Sequence, residues 1–315
     1  MVRDRTRRQV LKSTAGIGAL TLGGTGIGSA QEAVFIGETG QVRAKQSSPD
    51  ELHTVSLDGP FTERPVVIMG PVSPLGNDPC HTRIADVTTD SFKFKLEEWD
   101  YLHQPHTEEM LHYIVLQPGV YQIGNAALQL EVDTLATNHE SQSIEFTTTF
   151  SEQPVLLTQA QTLFGSDAVV TRGGTSRTGT NVALQEQEVW GANRRGAHTT
   201  ERIGYVAVEP GNDALDTGTS LTNDFEAHHV PNVDHSWKAV EFDETYDQGN
   251  RRNPLLMADM QTRKGSDPAG LRRRWPTQSS IQLKVEEEQS DDSEVRHAEE
   301  DLGYLLFGSE SLLFM

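Results

Sequence analysis

A histidine that is followed three residues later by a glutamate and seven residues later by a tyrosine occurs three times in this chain of 315 residues. The copies are His106, Glu109 and Tyr113; His198, Glu201 and Tyr205; and His297, Glu300 and Tyr304. An imidazole beside a carboxylate can hydrogen-bond a ligand or bind a divalent metal ion. Alternatively, each histidine fixes the loop before a strand. A His and a Glu three residues apart would point to opposite faces if the stretch were extended, which argues against a shared metal ion. The residue types alone leave both interpretations open.

Each histidine follows an acidic segment. The three segments are Leu96-Glu97-Glu98-Trp99, Leu184-Gln185-Glu186-Gln187-Glu188 and Val285-Glu286-Glu287-Glu288. Carboxylates beside an aromatic ring suit saccharides, because planar acceptors chelate vicinal hydroxyls and apolar C–H faces stack on rings. Trp99 supplies a ring in the first copy, and Trp190 and Trp275 lie on nearby loops in the others. The alternative is a set of outward-facing strand carboxylates.

Further polar residues recur at fixed spacing. Each copy has a proline, a Gly-Asn/Ser-Asp triplet eleven residues later, and an arginine five residues after the aspartate. These are Pro65, Gly76-Asn77-Asp78 and Arg83; Pro154, Gly165-Ser166-Asp167 and Arg172; and Pro254, Gly265-Ser266-Asp267 and Arg272. The triplet suits a hairpin turn, and its aspartate could pair with the arginine. The motifs together define a module of about 90 residues, used three times.

Alternating residues predict the elements that position these motifs. Phe92 to Leu96 and Ile281 to Val285 alternate apolar and polar residues, and short strands separated by turn residues predict an antiparallel sandwich or barrel. The segments around Tyr205 and Tyr304 are apolar at consecutive positions, so both faces of these strands should be covered. One face can meet the core of its own copy, and the other a sister copy.

The N-terminal segment has the features of an export signal. A basic start with the pair Arg7-Arg8 is followed by the weakly apolar residues 16–27 and by small residues before Gln31. We therefore expect residues 1–30 to be a twin-arginine signal peptide and the protein to be secreted. No later segment approaches the roughly 20 apolar residues that a membrane-spanning helix needs.

The charge of the chain favours a salt-rich environment. With 46 acidic residues against 26 lysines and arginines, the formal net charge is -20. Such a charge opposes nucleic-acid binding and causes self-repulsion, which high salt screens. The single cysteine, Cys80, forbids an internal disulfide.

Catalysis finds little support in the sequence. Adjacent strand carboxylates such as Glu97 and Glu98 point apart, whereas glycoside hydrolysis needs two carboxyl groups facing each other across about 5–10 Å. We expect no enzyme and no cofactor, with a divalent metal ion as an open alternative. The local cluster around His228, His229 and His235 could bind such an ion, but its spacing matches no closed zinc pattern and suits a polar linker equally.

The first copy resembles H-type lectin domains, the sugar-binding modules of snail agglutinins and slime-mould discoidins. The resemblance covers some 60 residues of the first copy. The other two copies share it because they repeat the first. It is carried by Phe61, Arg64-Pro65-Val66-Val67-Ile68, Arg83, Val87-Thr88-Thr89-Asp90-Ser91-Phe92-Lys93, Trp99 and Tyr113-Ile114-Val115.

The resemblance implies a six-stranded antiparallel sandwich that assembles as a trimer with sugar near the seams between protomers. Three copies in one chain would supply such a trimer covalently. Trp99 matches a sugar-site position of the snail lectin, but Gln187 and Glu288 stand there in the other copies. The arginine of the lectin sugar site is not matched, and Arg83 corresponds to a different arginine, which we expect to be structural.

The sequence therefore predicts an all-β protein of three tandem six-stranded sandwiches, packed as a pseudo-threefold trimer. The predicted repeats are residues 31–119, 120–212 and 213–315. The expected function is multivalent binding of cell-surface or exopolysaccharide glycans, and the alternative is a structural or adhesive surface protein without sugar affinity. The predicted carbohydrate-binding residues are Glu98, Trp99, Asp100, His106, Glu186, Glu188, His198, Glu287, Gln289 and His297.

Overall fold

The computed structural model describes residues 33–102, 105–188, 198–219, 222–246, 254–291 and 295–315, and within these ranges the chain is all-β. Its strands form antiparallel ladders and none of the described residues is helical, which confirms the all-β part of the predicted fold class. None of the described residues belongs to a helix long and apolar enough to cross a membrane. The predicted signal peptide and Trp190 lie outside the described residues.

The strands follow one another along the chain in three comparable sets. In the first repeat they are β1 (Phe35–Gln46), β2 (His53–Ser56), β3 (Val66–Met69), β4 (Cys80–Val87), β5 (Ser91–Glu98) and β6 (His106–Leu116). In the second they are β7 (Gly119–Ile123), β8 (Leu128–Thr137), β9 (Gln142–Glu145), β10 (Val155–Ala160), β11 (Val169–Thr175), β12 (Gly179–Glu186) and β13 (Glu201–Val208). In the third they are β14 (Gly211–Asp216), β15 (Thr222–Val233), β16 (Lys238–Glu241), β17 (Leu255–Met260), β18 (Ala269–Arg274), β19 (Ser280–Glu287), β20 (Glu300–Phe307) and β21 (Ser311–Phe314).

Each repeat contributes two groups of three paired strands with the same connectivity. The acidic-strand sheet has the order β2-β5-β4, β9-β12-β11 or β16-β19-β18. The closing strands have the order β1-β6-β3, β8-β13-β10 or β15-β20-β17, and the first and third of these groups belong to one eight-stranded sheet in which β21 and β14 lie between β1 and β15. Each acidic segment thus lies at the end of the central strand of one sheet, and each His-x-x-Glu pattern lies at or just before the start of the central strand of the other.

Alternation along the strands places an apolar cluster between the two sheets of each repeat. In the first repeat Phe92, Phe94 and Leu96 on β5 are fully buried and share a cluster with Tyr113 and Val115 on β6. The second and third repeats have equivalent clusters. Because successive side chains of a strand point to opposite faces, one face of each central strand packs inside its own repeat.

The other face of each closing strand joins a shared apolar cluster. Ile114 and Leu116, Val206 and Val208, and Leu305 and Phe307 belong to this single cluster, to which all three repeats contribute. The closing strands are therefore buried on both faces, as their sequence pattern predicts.

Three additional strands connect or close the repeats. β7 pairs with β8 and β14 pairs with β15, each as a hairpin that leads into the next repeat. β21 pairs with β1 in the same antiparallel sense, although the two strands lie at opposite ends of residues 33–315. The Val34 N–H donates to the Met315 carbonyl at 2.9 Å, and the Met315 N–H donates back to Val34 at 3.0 Å.

Candidate functional site

Each recurrent histidine is held between two carboxylates. In the first repeat His106 Nδ1 lies 2.6 Å from Glu98 Oε1, and His106 Nε2 lies 3.3 Å from Glu109 Oε1. The corresponding distances are 2.7 and 3.2 Å from His198 to Glu186 and Glu201, and 2.8 and 3.2 Å from His297 to Glu287 and Glu300. The acidic segment and the His-x-x-Glu pattern therefore meet in all three repeats.

From the sequence, His and Glu would point to opposite faces only if the stretch were extended, and in the first repeat the strand is irregular at this point. In the first repeat the ladder between β1 and β6 changes register between Ala44 and Gln46, opposite Glu109 and His106. Such an irregularity bends a strand and re-aims its side chains. The imidazole and the carboxylate three residues later can then meet on one side.

This arrangement favours the positively charged form of each imidazole. A neutral imidazole has one N–H donor, whereas an imidazolium can donate from both nitrogens to the two carboxylates that face it. Burial on its own would lower the pKa of His106, but its hydrogen bonds with Cys80, Glu109 and Glu98 raise it to about 11. For His198 the balance of burial and its two glutamates raises the pKa to about 9, and the pKa of His297 is raised in the same way.

The second glutamate of each group also organises the glycine-containing loop. Gly76 donates its N–H to Glu109 at 2.7 Å, and Gly165 and Gly265 donate equivalently to Glu201 and Glu300. A Cβ atom on Gly76 would lie 2.4 Å from the ring of His106, so glycine is required for this close approach rather than for a hairpin alone. Burial would raise the pKa of Glu300, but hydrogen bonds from His297, Thr262 and Gly265 lower it to about 2.

Each recurrent arginine reaches the glutamate of another repeat. Arg83 Nη2 donates to Glu201 at 2.8 Å and Arg172 Nη2 donates to Glu300 at 2.9 Å. Arg272 Nη2 lies 3.4 Å from Glu109. The pairs therefore run from the first repeat to the second, from the second to the third, and from the third back to the first. Within the described ranges, none of these arginines forms an ion pair with an aspartate of the Gly-Asn/Ser-Asp triplets, which was the pairing considered from the sequence.

Each of these seams contains a charge-balanced quartet. Two carboxylates, one imidazolium and one guanidinium have no net charge, and at the seam between the third and first repeats they belong to Glu98, His106, Glu109 and Arg272. Arg272 also lies 3.2 Å from Glu286, which pairs with Lys284. All four side chains are at least 99% removed from solvent. Removing one member would leave an uncompensated buried charge, which typically costs about 3–5 kcal/mol.

Two glutamines add hydrogen bonds across the seams. Gln161 of the second repeat bonds both the N–H and the carbonyl of Val67, with its amide oxygen accepting at 2.9 Å and its nitrogen donating at 2.7 Å. Gln261 of the third repeat does the same to Leu156. Sequence inspection missed both glutamines, although each stands seven residues after a recurrent proline.

At the seam between the first and third repeats, a histidine forms the hydrogen bond that a glutamine forms at each of the other two seams. His112 occupies the position of Gly204 and Gly303, and its Nδ1 accepts the N–H of Leu256 at 3.0 Å. Burial, with Arg273 nearby, lowers the pKa of His112 well below its usual range, so the ring is neutral. A neutral ring can accept this hydrogen bond, whereas an imidazolium cannot.

The predicted binding residues divide into a buried and a partly exposed set. The buried set is Glu98, Trp99, His106, His198, Glu287 and His297. The partly exposed set is Asp100, Glu186, Glu188 and Gln289. Trp99 is 1% exposed and packs against His81 with ring centroids 5.0 Å apart, so its ring offers no platform to solvent.

The ends of the three acidic strands converge. The Tyr101 N–H donates to Gln187 at 3.2 Å, and the Glu188 N–H donates to Glu288 at 2.9 Å. The Gln289 N–H donates to the Tyr101 hydroxyl at 3.1 Å, so the three repeats meet here as well. Burial raises the pKa of the neighbouring Asp100 to about 6.

A small cavity lies where equivalent strands of the three repeats meet, and its volume is about 90 Å³. Its lining includes Met69, Thr158 and Ala258, and Thr82, Thr171 and Leu271, which are two sets of equivalent positions. Asp259 also lines it and accepts hydrogen bonds from the N–H and hydroxyl of Thr158. Burial raises the pKa of Asp259 to about 6.

The histidine cluster of the third repeat is not assembled into a metal centre. His228 lies 3.0 Å from Asp243, whereas His229 contacts the Gln153 carbonyl and His235 lies 3.7 Å from Asp234. Among the residues that the structure describes, no group of three or more His, Cys, Asp or Glu side chains could hold a metal ion.

Comparison with known proteins gives one similar sequence. The chain is 31% identical over 272 residues to Halomucin from Haloquadratum walsbyi, and the match covers 83% of this chain. The same match covers 3% of Halomucin, so the chain corresponds to a small part of that relative. No protein-family model matches the chain. No solved structure matches it either.

Proposed function

We propose that this protein is an extracellular structural module, in which three H-type-lectin-like sandwiches are fixed in a ring about a pseudo-threefold axis. The observation that carries the proposal is the cyclic order of the pairs Arg83–Glu201, Arg172–Glu300 and Arg272–Glu109. A cyclic order requires each repeat to contact both others, which a string of separate domains would not do. The recurrent polar residues then serve to join the repeats.

Three further features support the ring. The shared apolar cluster draws equivalent closing-strand residues from every repeat. The cavity of about 90 Å³ is lined by equivalent positions of the three repeats. β21 pairs with β1 as β7 pairs with β8 and β14 with β15, so the first strand of every closing-strand group has one additional antiparallel partner.

A structural role agrees with the burial of the residues that appeared suited to a ligand. Six of the ten predicted binding residues are buried, and the three histidines among them use both ring nitrogens for glutamates of the protein. A side chain whose donors are already satisfied in the interior gains little from a ligand. The repetition of these residues is therefore better explained by three equivalent seams than by three equivalent sugar sites.

An extracellular location is supported by the sequence and by the similar protein. The pair Arg7-Arg8 and the small residues before Gln31 favour twin-arginine export. The name Halomucin combines the element halo, for salt, with the word mucin, and both suit an acidic protein placed outside the cell in a salt-rich environment. We infer a role in material at the cell surface.

Export and location provide the test. In cells that express the full chain, we expect the protein in the medium or the envelope fraction, and we expect Arg7→Lys with Arg8→Lys to retain it in the cytoplasm. The matched control is Arg3→Lys with Arg5→Lys, which keeps the same charge outside the pair and should be exported. Wild-type protein found only in the cytoplasm would contradict the proposal.

Carbohydrate binding at the converging strand ends is a second candidate function. Asp100, Glu188 and Gln289 come from different repeats, are partly exposed and lie where Tyr101 joins the strand ends. Carboxylate and amide groups of this kind can bind sugar hydroxyls. A glycan array at high salt, with and without chelator, tests this function, and loss of binding in Asp100→Asn and Glu188→Gln would assign it to these ends.

A further inference from the structure

An exposed aromatic and cationic platform lies on the third repeat, formed by Trp237, Arg274 and Trp275. The Arg274 guanidinium carbon is 4.2 Å from the ring centroid of Trp237 and 3.8 Å from that of Trp275. Trp275 is 65% exposed and has a φ of 49°, a backbone conformation that is uncommon for a bulky residue. Folding therefore leaves a large apolar ring in solvent beside a stacked cation.

The platform is separate from the converging strand ends. Arg274 pairs with Gln282 in the ladder between β18 and β19, whereas Ala269 at the other end of β18 pairs with Glu287. Arg274 lies five residue steps along the strand from Ala269, which corresponds to about 17 Å. The structure thus places Trp275 away from the acidic strand end, near which the sequence interpretation had put it.

Arg274 has unused hydrogen-bonding capacity. Its Nε donates to Gln282 Oε1 at 2.8 Å, and its Nη atoms donate to none of the residues that the structure describes. No carboxylate in the described ranges pairs with it, although the nearby Lys284 pairs with Glu286 at 3.0 Å. In a chain with 46 acidic residues, a partly exposed guanidinium without a carboxylate is available for an external anion.

We propose that the Trp237–Arg274–Trp275 platform binds a carboxylate-bearing sugar residue of an acidic polysaccharide. The carboxylate would accept hydrogen bonds from the Nη edge of Arg274, which is suited to bidentate contact. The apolar C–H face of the same sugar would stack on the face of Trp275 that Arg274 leaves open. A neutral sugar could use only the second contact.

The charge distribution favours a saccharide over a nucleic acid. A single-stranded polynucleotide needs a groove of several cations that follows its phosphates, whereas the platform offers one unpaired guanidinium in a chain of net charge -20. In about 1 M salt the screening length is roughly 3 Å, so distant carboxylates no longer repel an acidic sugar. Direct contact with Arg274 would persist.

Among the residues that the structure describes, the platform occurs once. Counting from the recurrent arginines, the position of Arg274 is Ala85 in the first repeat and Gly174 in the second, and the position of Trp275 is Asp86 and Thr175. The proposal therefore predicts one such site per chain, whereas binding at equivalent repeat positions would allow up to three.

The test uses the full chain in about 1 M salt, with tetragalacturonate as the acidic probe and maltotetraose as the neutral one. We expect one tetragalacturonate per chain by calorimetry and a change in tryptophan fluorescence, with maltotetraose at least about tenfold weaker. Trp275→Ala should weaken tetragalacturonate binding about fivefold and Arg274→Gln about tenfold, with part of the affinity kept in Arg274→Lys.

Phe164→Ala is the matched control, because Phe164 is 74% exposed on the second repeat and no cation in the described ranges stacks on it. It should leave affinity unchanged. Circular dichroism and the thermal midpoint of each variant establish that its fold is intact. The proposal would be overturned by a wild-type chain that does not bind tetragalacturonate, by equal affinity in Trp275→Ala, by equal binding of maltotetraose, or by tighter binding of an oligothymidylate.

Discussion

The guanidinium of Arg83 lies 2.8 Å from the carboxylate of Glu201, although 118 positions separate the two residues in the chain. Arg172 and Glu300 repeat this relationship between the second and third repeats. The glutamate in each pair also binds the histidine of its own repeat, so packing within one repeat is coupled to docking against another. Local folding and assembly of the ring therefore depend on the same carboxylate.

Arg172→Ala should lower the free energy of unfolding by about 3–5 kcal/mol, because it leaves Glu300 buried without its guanidinium. Arg43→Ala is the control, since Arg43 pairs with Glu108 at 3.2 Å while both side chains are 55% exposed. An exposed pair contributes only about 0–1 kcal/mol. Urea unfolding at constant salt measures both values, and equal losses in the two variants would contradict the structural role of the seam.

Stability should fall as the pH rises through about 9, because His198 loses its proton. Its pKa in the folded state is above the unfolded value of about 6.5, so the stabilisation is complete below that pH and is lost on alkaline titration. The shift corresponds to about 3 kcal/mol. The urea midpoint, followed from about pH 7 to about pH 10, should decline less in His198→Gln than in the wild type.

The control for this titration is His139→Gln, which changes an exposed histidine in the connection between β8 and β9. Its stability should decline with pH as steeply as that of the wild type. A His198→Gln variant with an unchanged slope would show that the imidazolium between Glu186 and Glu201 does not contribute in the expected way.

Gly204→Ala should destabilise the seam between the first and second repeats. The added Cβ would lie 2.6 Å from Val66 Cγ1 and 2.9 Å from Gln161 Cδ. Overpacking of this kind typically costs about 1–3 kcal/mol. Gly174→Ala is the matched control, because its nearest neighbour would be 3.7 Å away, and it should be close to neutral in thermal unfolding.

Trp99→Ala should act on stability. The side chain is 1% exposed, and removing a buried tryptophan typically costs about 3–5 kcal/mol. Trp275→Ala, which removes an exposed ring, should leave the thermal midpoint nearly unchanged. A Trp99 variant as stable as the wild type would show that the interior at this position tolerates a cavity.

The strands were predictable because their pattern is local. Phe92, Phe94 and Leu96 alternate with lysines, and β5 has this register with the apolar side chains inside. The apolar faces of the closing strands also indicated a second covered side. Both inferences depend only on the period of two along a strand.

The partners of the polar residues were not predictable in the same way. The spacing identified Arg83 and Glu201 as recurrent, but whether the arginine meets an aspartate five positions away or a glutamate of another repeat depends on how the repeats dock. His112 illustrates the same limit, since it replaces a glycine and a glutamine of the other repeats through contacts that are distant in the chain. Burial of Trp99 likewise follows from its tertiary neighbours, because the sequence around it suits an exposed strand end equally well.

The pairing of β21 with β1 determines how the module would respond to tension in a longer chain. Val34 and Met315 are neighbours at the same end of an antiparallel ladder, so a force that separates them pulls the hydrogen bonds apart one after another. This is a peeling geometry, in which each bond is loaded in turn and yields at low force. The three seams lie outside the load path until β21 has detached. Under tension the module would first release a short length of chain, while the charge-balanced quartets and the shared apolar cluster remain unloaded.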